Sequence, residues 1–151
     1  MREILFRGKW IDNGKWIEGI FYQHPLTKEC FVGVHDYNSY SIAYMGNLGC
    51  PVFNKVDPAT IGQFTGLKDK NGKRIFEGDI VKHYNMLNDP EAYAVGRVYL
   101  FQDHCMWKRT TSDDFNTTGR PIDDPRLDIK SEYEVIGNIY DNPELIAEAE
   151  K

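Results

Sequence analysis

At 151 residues, with 41% hydrophobic and 27% charged side chains, the chain is long enough to bury its own core and reads as a soluble folded protein. No apolar run reaches bilayer-spanning length, and Arg7 and Lys9 interrupt MREILFRGKW before a leader core forms, so a cytoplasmic protein with no membrane partner is expected. Charge is uneven: residues 1–75 carry 10 Lys+Arg and 7 Asp+Glu, net +3, while residues 76–151 carry 8 and 16, net −8. That division suits head-to-tail self-association, a cationic partner or two solvated faces of one monomer better than sequence-independent DNA binding.

Taken in order, Arg2 to Trp10 alternates, with Ile4, Phe6, Gly8 and Trp10 on one side and Leu5, Arg7 and Lys9 on the other. Asp12-Asn13-Gly14 predicts a turn, and Lys15 to Tyr22 a returning strand. A loop opens at His24-Pro25. Cys30 to Val34, Ser41 to Met45 and Val52 to Val56 are short β-type runs, and Gly46 to Pro51 is a break. The stretch from Val56 to Lys82 carries the strongest local signal. It has an Asp57-Pro58 turn, a strand around Ile61 and Phe64, a break at Gly66 and the polar turn Asp69-Lys70-Asn71-Gly72. A second strand follows from Ile75 to Lys82, interrupted at Gly78-Asp79. Asn-Gly turns need positive φ, which both residues tolerate. The first hairpin echoes this one: Gly8, Asn13-Gly14-Lys15, Ile17 and Glu18-Gly19 match Gly66, Asn71-Gly72-Lys73, Ile75 and Glu77-Gly78. Either the architecture is partly duplicated or one turn chemistry arose twice.

Further on, His83 to Glu91 reads as loop and Ala92 to Phe101 as a strand, turned by Gln102-Asp103-His104, with Cys105 to Arg109 returning. The stretch from Thr110 to Asp124 is an acidic, polar loop, Leu127 to Lys130 a weak strand, and Tyr133 to Ile139 a strand with Gly137 marking a bulge. Asn142-Pro143-Glu144 predicts a helix start, with Asn142 capping the first turn. Frequent short strands with turns between them predict an all-β sandwich or small barrel.

TIGQFTGLKDKNGKRIFEGDIVK, followed by YEVIGNIYDNPEL and preceded by REILFRGKWIDNGKWIEG, resembles the signature of the YopX protein family, whose members are commonly encoded by bacteriophages and prophages. The resemblance covers both ends and the middle of the chain; residues 24–55 and 84–130 carry no such motif. It implies a mainly β fold with a small SH3-like barrel, and self-association as a homo-oligomer, and it implies no activity. Glu77-Gly78-Asp79-Ile80-Val81 independently resembles the entry strand of small SH3-like barrels, where Gly permits the bend and Asp bonds neighbouring N–H groups. The expected organisation is an N-terminal β-hairpin subdomain over residues 1–55. An SH3-like barrel part over 56–151 would carry the acidic loop 110–124 and a short C-terminal helix.

Chemistry is sparse. Cys30 with His35, Cys50, His83 and Asp103-His104-Cys105 lack zinc-ligand spacing and read as buried thiols and turn histidines. The odd count of cysteines (Cys30, Cys50, Cys105) argues against a disulfide framework. His104 next to Cys105 in a strand would face away from the thiol, which disfavours a nucleophile–base pair, though not if the two lie in a turn. Asp113-Asp114, Asp123-Asp124 and Asp128 could gather a divalent cation, but nothing fixes their geometry. No catalytic residue, no cofactor and no metal site is assigned. Lys68, Lys70, Lys73 and Arg74, near Phe64 and Phe76, suit a nucleic-acid backbone with rings for stacking. The aromatics Trp10, Trp16, Tyr22, Tyr40, Tyr44, Tyr93, Tyr99 and Trp107 exceed what a small barrel buries, so some are expected to line a groove or interface, unless two β subdomains share a large aromatic core. The expectation is an accessory protein that works by binding a host or phage protein or itself, not an enzyme. The alternative is a nucleic-acid-binding β-barrel using the Lys68 to Arg74 hairpin.

Overall fold

The structure, a computed structural model, describes residues 4–34, 52–84, 93–101, 104–109, 120–121 and 133–149. It forms two compact units, Met1–Gln63 and Phe64–Lys151. Among the described residues no helix is long and apolar enough to cross a membrane.

In the first unit, β1 (Phe6–Lys9), β2 (Trp16–Gln23), β3 (Cys30–Val34) and β4 (Val52–Val56) form an antiparallel meander in the spatial order β4-β3-β2-β1. The predicted turn joins β1 to β2: Gly14 holds φ +68°, and Asn13 Oδ1 accepts the Lys15 N–H at 2.9 Å. Ile17 and Phe21 on the inner side of β2 pack on buried Cys30, Val32 and Val56, joined by Ile61. Phe6 adds its ring 5.2 Å from that of Phe21. Burying these side chains supplies the drive for the unit, because a lone hairpin is marginal in water. Asp57-Pro58 makes the expected turn. The Asp57 carboxylate accepts the Ala59 N–H at 3.0 Å and opens a 3₁₀ turn, Pro58–Thr60. Thr60 Oγ1 then accepts the Lys9 N–H at 2.9 Å, so the turn is tied to β1. Gly62 and Gln63, the first residues of β5 (Gly62–Lys68), pair with Arg7 and Phe6.

Within the second unit the rest of β5 pairs with β6 (Arg74–Phe76), across a register shift between Phe64 and Lys68 that contains Gly66. The strands β7 (Asp79–Tyr84), β8 (Tyr93–Phe101), β9 (His104–Arg109), β10 (Arg120–Pro121) and β11 (Tyr133–Asn138) form an antiparallel sheet ordered β10-β9-β8-β7-β11. Helix α1 (Glu144–Ala149) lies against β8. Ile75, Val81, Val98, Tyr133 and Val135 form the buried core, with Leu67, Ala94 and Leu100 packed on it.

Several expectations need correcting. The run from Ile75 to Lys82 is two strands, β6 and β7, in different ladders. Gly78 takes φ +84°, closed to most side chains, and the Phe76 N–H donates to Asp79 Oδ2 at 2.7 Å, so the chain turns a sharp corner there. The resemblance of this Gly-Asp pair to a barrel entry is right about the bend. Among the described residues, however, the two antiparallel sheets do not close into a barrel, so the mainly β class stands without its SH3-like detail. His83 and Tyr84 extend β7 where loop was expected, and His104 opens β9 where a turn was expected. Within the expected loop 110–124, Arg120 and Pro121 pair with Trp107 and Met106. The remainder of that loop, with Asp113, Asp114, Asp123 and Asp124, lies outside the described residues, as do Asp128, the Ser41 to Met45 and Leu127 to Lys130 runs, His35 and Cys50. The Gly137 bulge is present between Val135 and Gly137. Asn142 does not cap the helix with its side chain. Its Oδ1 accepts the Asn138 N–H at 3.4 Å, tying the end of β11 to the helix entry, while its main-chain carbonyl accepts from Leu145. The two Asn-Gly hairpins share a positive-φ Gly after Asn and little else: the first closes between Trp10 and Lys15, the second between Asp69 and Lys73, and Gly19 sits in a regular ladder while Gly78 makes a corner. One turn chemistry used twice accounts for the echo.

Asp69 is a well-connected polar side chain of the second unit. It is 4% exposed. Its Oδ1 accepts the N–H groups of Asn71 (2.8 Å) and Lys73 (2.9 Å), and its Oδ2 accepts the Val135 N–H at 3.0 Å. The Lys70 N–H donates to the Tyr133 carbonyl alongside, at 2.9 Å. Backbone donors thus meet both oxygens of this buried side chain. It latches the hairpin tip onto β11.

Candidate functional site

Side chains alternate across a strand, so the ladder registers sort the first unit into two faces. Ile20 pairs with Gly33 and Gly33 with Phe53, forming one row; Tyr22 pairs with Phe31 and Phe31 with Lys55, forming the next. Both rows lie on the side opposite the Val32 and Val56 core. On this outer face Ile20 is 47% exposed, Tyr22 44% and Phe53 45%. The Tyr22 ring stands 5.9 Å from that of Phe53, 6.1 Å from that of Phe31 and 6.5 Å from that of His24. Gly33 allows this arrangement, because a Cβ there would come 2.7 Å from Phe53 Cε1. The Tyr22 and Phe53 rings thus stand exposed side by side, with half-buried Phe31 and His24 next to Tyr22. At its margin the Lys55 ammonium hydrogen-bonds and ion-pairs with Glu29, whose other oxygen accepts from the Thr27 hydroxyl at 3.1 Å. Lys55, then Thr27, hold the Glu29 carboxyl below its ordinary range. His24 Nδ1 accepts the Thr27 N–H at 3.1 Å, as a turn histidine does.

Of the tryptophans named from sequence, Trp16 shares the outer side of β2 with Ile20 and Tyr22. It is half-buried, with the Arg7 guanidinium 4.7 Å and Lys9 Nζ 5.5 Å from its ring centre. Arg7, on the side of β1 opposite Phe6 and Gly8 as the alternation predicts, is buried. Trp10 is half-buried and bridges Val56 on the core side. Trp107 lies in β9, opposite Val98 and Arg120, with only its backbone described. The structure thus brings Trp16 to the aromatic face and keeps Trp10 from it.

The four hairpin cations are all exposed. Lys68 and Arg74 are direct cross-strand partners, and Lys70 Nζ reaches Glu134 Oε2 at 2.7 Å. Phe64 and Phe76, read as stacking rings, belong to the interior: both are buried, their rings 5.5 Å apart, with the Arg74 guanidinium 5.8 Å from Phe64. Bases cannot reach them. Cys30 is a buried free thiol whose Sγ contacts the Lys28 carbonyl oxygen. His83 is no turn histidine; its ring lies 4.7 Å from that of Tyr133. His104 and Cys105 both lie in β9, the setting in which sequence reasoning disfavours a pair. Among the described residues no three His, Cys, Asp or Glu side chains converge as metal ligands would.

A family model described as YopX protein matches residues 6–147, nearly the whole chain. The chain belongs to the YopX protein family. Among solved structures it is similar to protein EF1440 from Enterococcus faecalis, at 22% identity over 97% of this chain and 99% of that one, with a TM-score of 0.47. No curated protein matches it. The motifs that resemble YopX sequences fall on β1–β2, β5–β7 and β11, the parts holding Gly14, Gly78 and the Asp69 latch. Phe31 and Phe53 come from residues 24–55, outside those motifs. YopX-type motifs therefore build scaffold here, while the exposed rings sit on the stretch between them.

Proposed function

We propose that this YopX-family protein is a phage- or prophage-type accessory protein of the bacterial cytoplasm that works by binding, not catalysis, and assembles with a second copy of itself. The observation that supports this reading is the exposed Ile20, Tyr22 and Phe53, with half-buried Phe31 between them, on the outer face of β2–β3–β4. Lys55 and Glu29 edge the cluster with one charge of each sign. A patch with equal and opposite charges is complementary to itself about a two-fold axis: Lys55 of one copy meets Glu29 of the other while the rings pack between them. A neutral patch has no such match to nucleic acid, which selects for cations.

Sedimentation velocity over a concentration series tests this. The wild-type chain is expected to associate, and Tyr22→Ser with Phe53→Ser to sediment as a monomer while keeping its far-UV circular dichroism. A wild-type chain that stays monomeric at every concentration, or a variant that associates as well as wild type, overturns the assignment of this face. Capture of a host protein by a monomeric wild-type chain, lost in the variant, would instead assign the face to a different protein partner.

A further inference from the structure

We propose that the second unit carries a track for single-stranded nucleic acid, running from the tip of the β5–β6 hairpin across β11 and β7 to Tyr93. This site is separate from the aromatic face and does not depend on self-assembly.

The track starts where Lys68 and Arg74 stand directly opposite each other, with Lys73 exposed beside them. A phosphate lying along this pair is met by a cation from each strand. The tip is held in place: Asp69 binds the N–H groups of Asn71 and Lys73 with one oxygen and that of Val135 with the other. Its cations therefore stand at fixed positions relative to β11, which lowers the ordering cost of binding.

From the tip, Lys70 reaches Glu134 on β11, and Glu134 is the ladder partner of Lys82 on β7. Lys82 Nζ lies 4.3 Å from the centre of the Tyr93 ring. Lys82 pairs with Val95, so Tyr93, two residues earlier on β8, projects to the same face. Tyr93 is 53% exposed. Two residues beyond Val95, Arg97 lies on this face too, its guanidinium 4.6 Å from the Tyr99 ring.

Lysines spaced along a path with an aromatic ring flanked by a cation match what a nucleic-acid strand presents, namely regular phosphates and a base that stacks. The strand must be single. With Phe64 and Phe76 buried, the exposed Tyr93 ring is what the track offers for stacking, and a base inside a duplex is already stacked.

The test is fluorescence anisotropy of the full chain with labelled oligothymidylate, longer than the ~16 nucleotides one small β module occupies. Binding is expected at low salt, and about three phosphate contacts give a log–log salt slope near −2. Lys73→Gln with Lys82→Gln should flatten that slope to about −0.7, because two contacts are removed. Tyr93→Ala should weaken binding about fivefold or more with the slope kept, since it removes stacking and no charge. Tyr22→Ser with Phe53→Ser should bind as wild type, separating this track from the face of the first unit. Lys73→Gln alone, at an exposed tip, serves as the variant certain to fold, and it should flatten the slope by about 0.7. No anisotropy change for the wild type at low salt overturns the proposal. So does a slope that the lysine variants leave unchanged, or a duplex of equal length bound as tightly as the single strand.

Discussion

Asp69→Ala is the most informative single substitution in this molecule. It removes three hydrogen bonds at once, to Asn71, Lys73 and Val135, from a carboxylate that is almost wholly buried. The three are not equal. The Asn71 and Lys73 amides lie at a part-buried tip where water can replace the carboxylate, so each loses about 0.5–1 kcal/mol. The Val135 amide is buried, and leaving it without an acceptor costs about 1–3 kcal/mol. The total is about 3 kcal/mol, a large part of the ~5–15 kcal/mol that holds a domain folded. At ~2–4 °C per kcal/mol for a chain of this size, the melting temperature should fall by about 6–12 °C. Asp69→Asn keeps an acceptor on one side only and sets its amide against a donor on the other, so it should lose about half as much. Thermal and urea denaturation give the size, and hydrogen exchange at the Val135 amide gives the location, since protection there should fall more than at Val98. A melting temperature within ~2 °C of wild type for Asp69→Ala would refute the latch, because no buried carboxylate making these bonds can be removed so cheaply.

Gly19→Ala and Gly33→Ala should separate, although both glycines lie on the β2–β3 pair. A Cβ at Gly19 would sit 1.9 Å from the Gly33 carbonyl oxygen, so the ladder must open, at about 3 kcal/mol or more; at Gly33 it meets the exposed Phe53 ring, which can swing aside for under ~1 kcal/mol. Equal destabilisation of the two in urea melts would contradict this packing. The Glu29 carboxyl, depressed by Lys55 and then Thr27, gives stability that is full above the ordinary glutamate range and fades as pH falls through the depressed value. Lys55→Met should move the Glu29 titration upward in carbon-detected NMR, and an unmoved titration would show that the pair does not persist in solution.

The turns were legible before the fold because they are local. Asn13-Gly14 and Asn71-Gly72 announce positive φ, Cys30 to Val34 and Val52 to Val56 announce strands at their observed limits, and Gly137 announces its bulge. What failed was decided by long-range packing. Alternation sorted β1 into two sides without saying that Arg7 would be buried, its guanidinium against Trp16. Composition put Phe64 and Phe76 beside the cations as stacking rings, yet their side chains fill the interior. Asn142 looked like a helix cap, yet Asn138 claims its side chain.

The candidate surfaces divide in the same way. The chain alone names the hairpin cations, Trp16 and Tyr22, because charge and aromatic content are composition. It does not reveal that Tyr22, Phe31 and Phe53 share one face, or that Lys82 and Tyr93 continue the path from Lys70. Sequence by itself determined the β class, the turn positions and the family, since hairpin signals operate over a few residues. Tertiary structure alone decided which rings stay exposed and which carboxylate holds the hairpin tip. Asp69 and Val135 are 66 residues apart, and only ladder register, which depends on the packed core, brings such positions together.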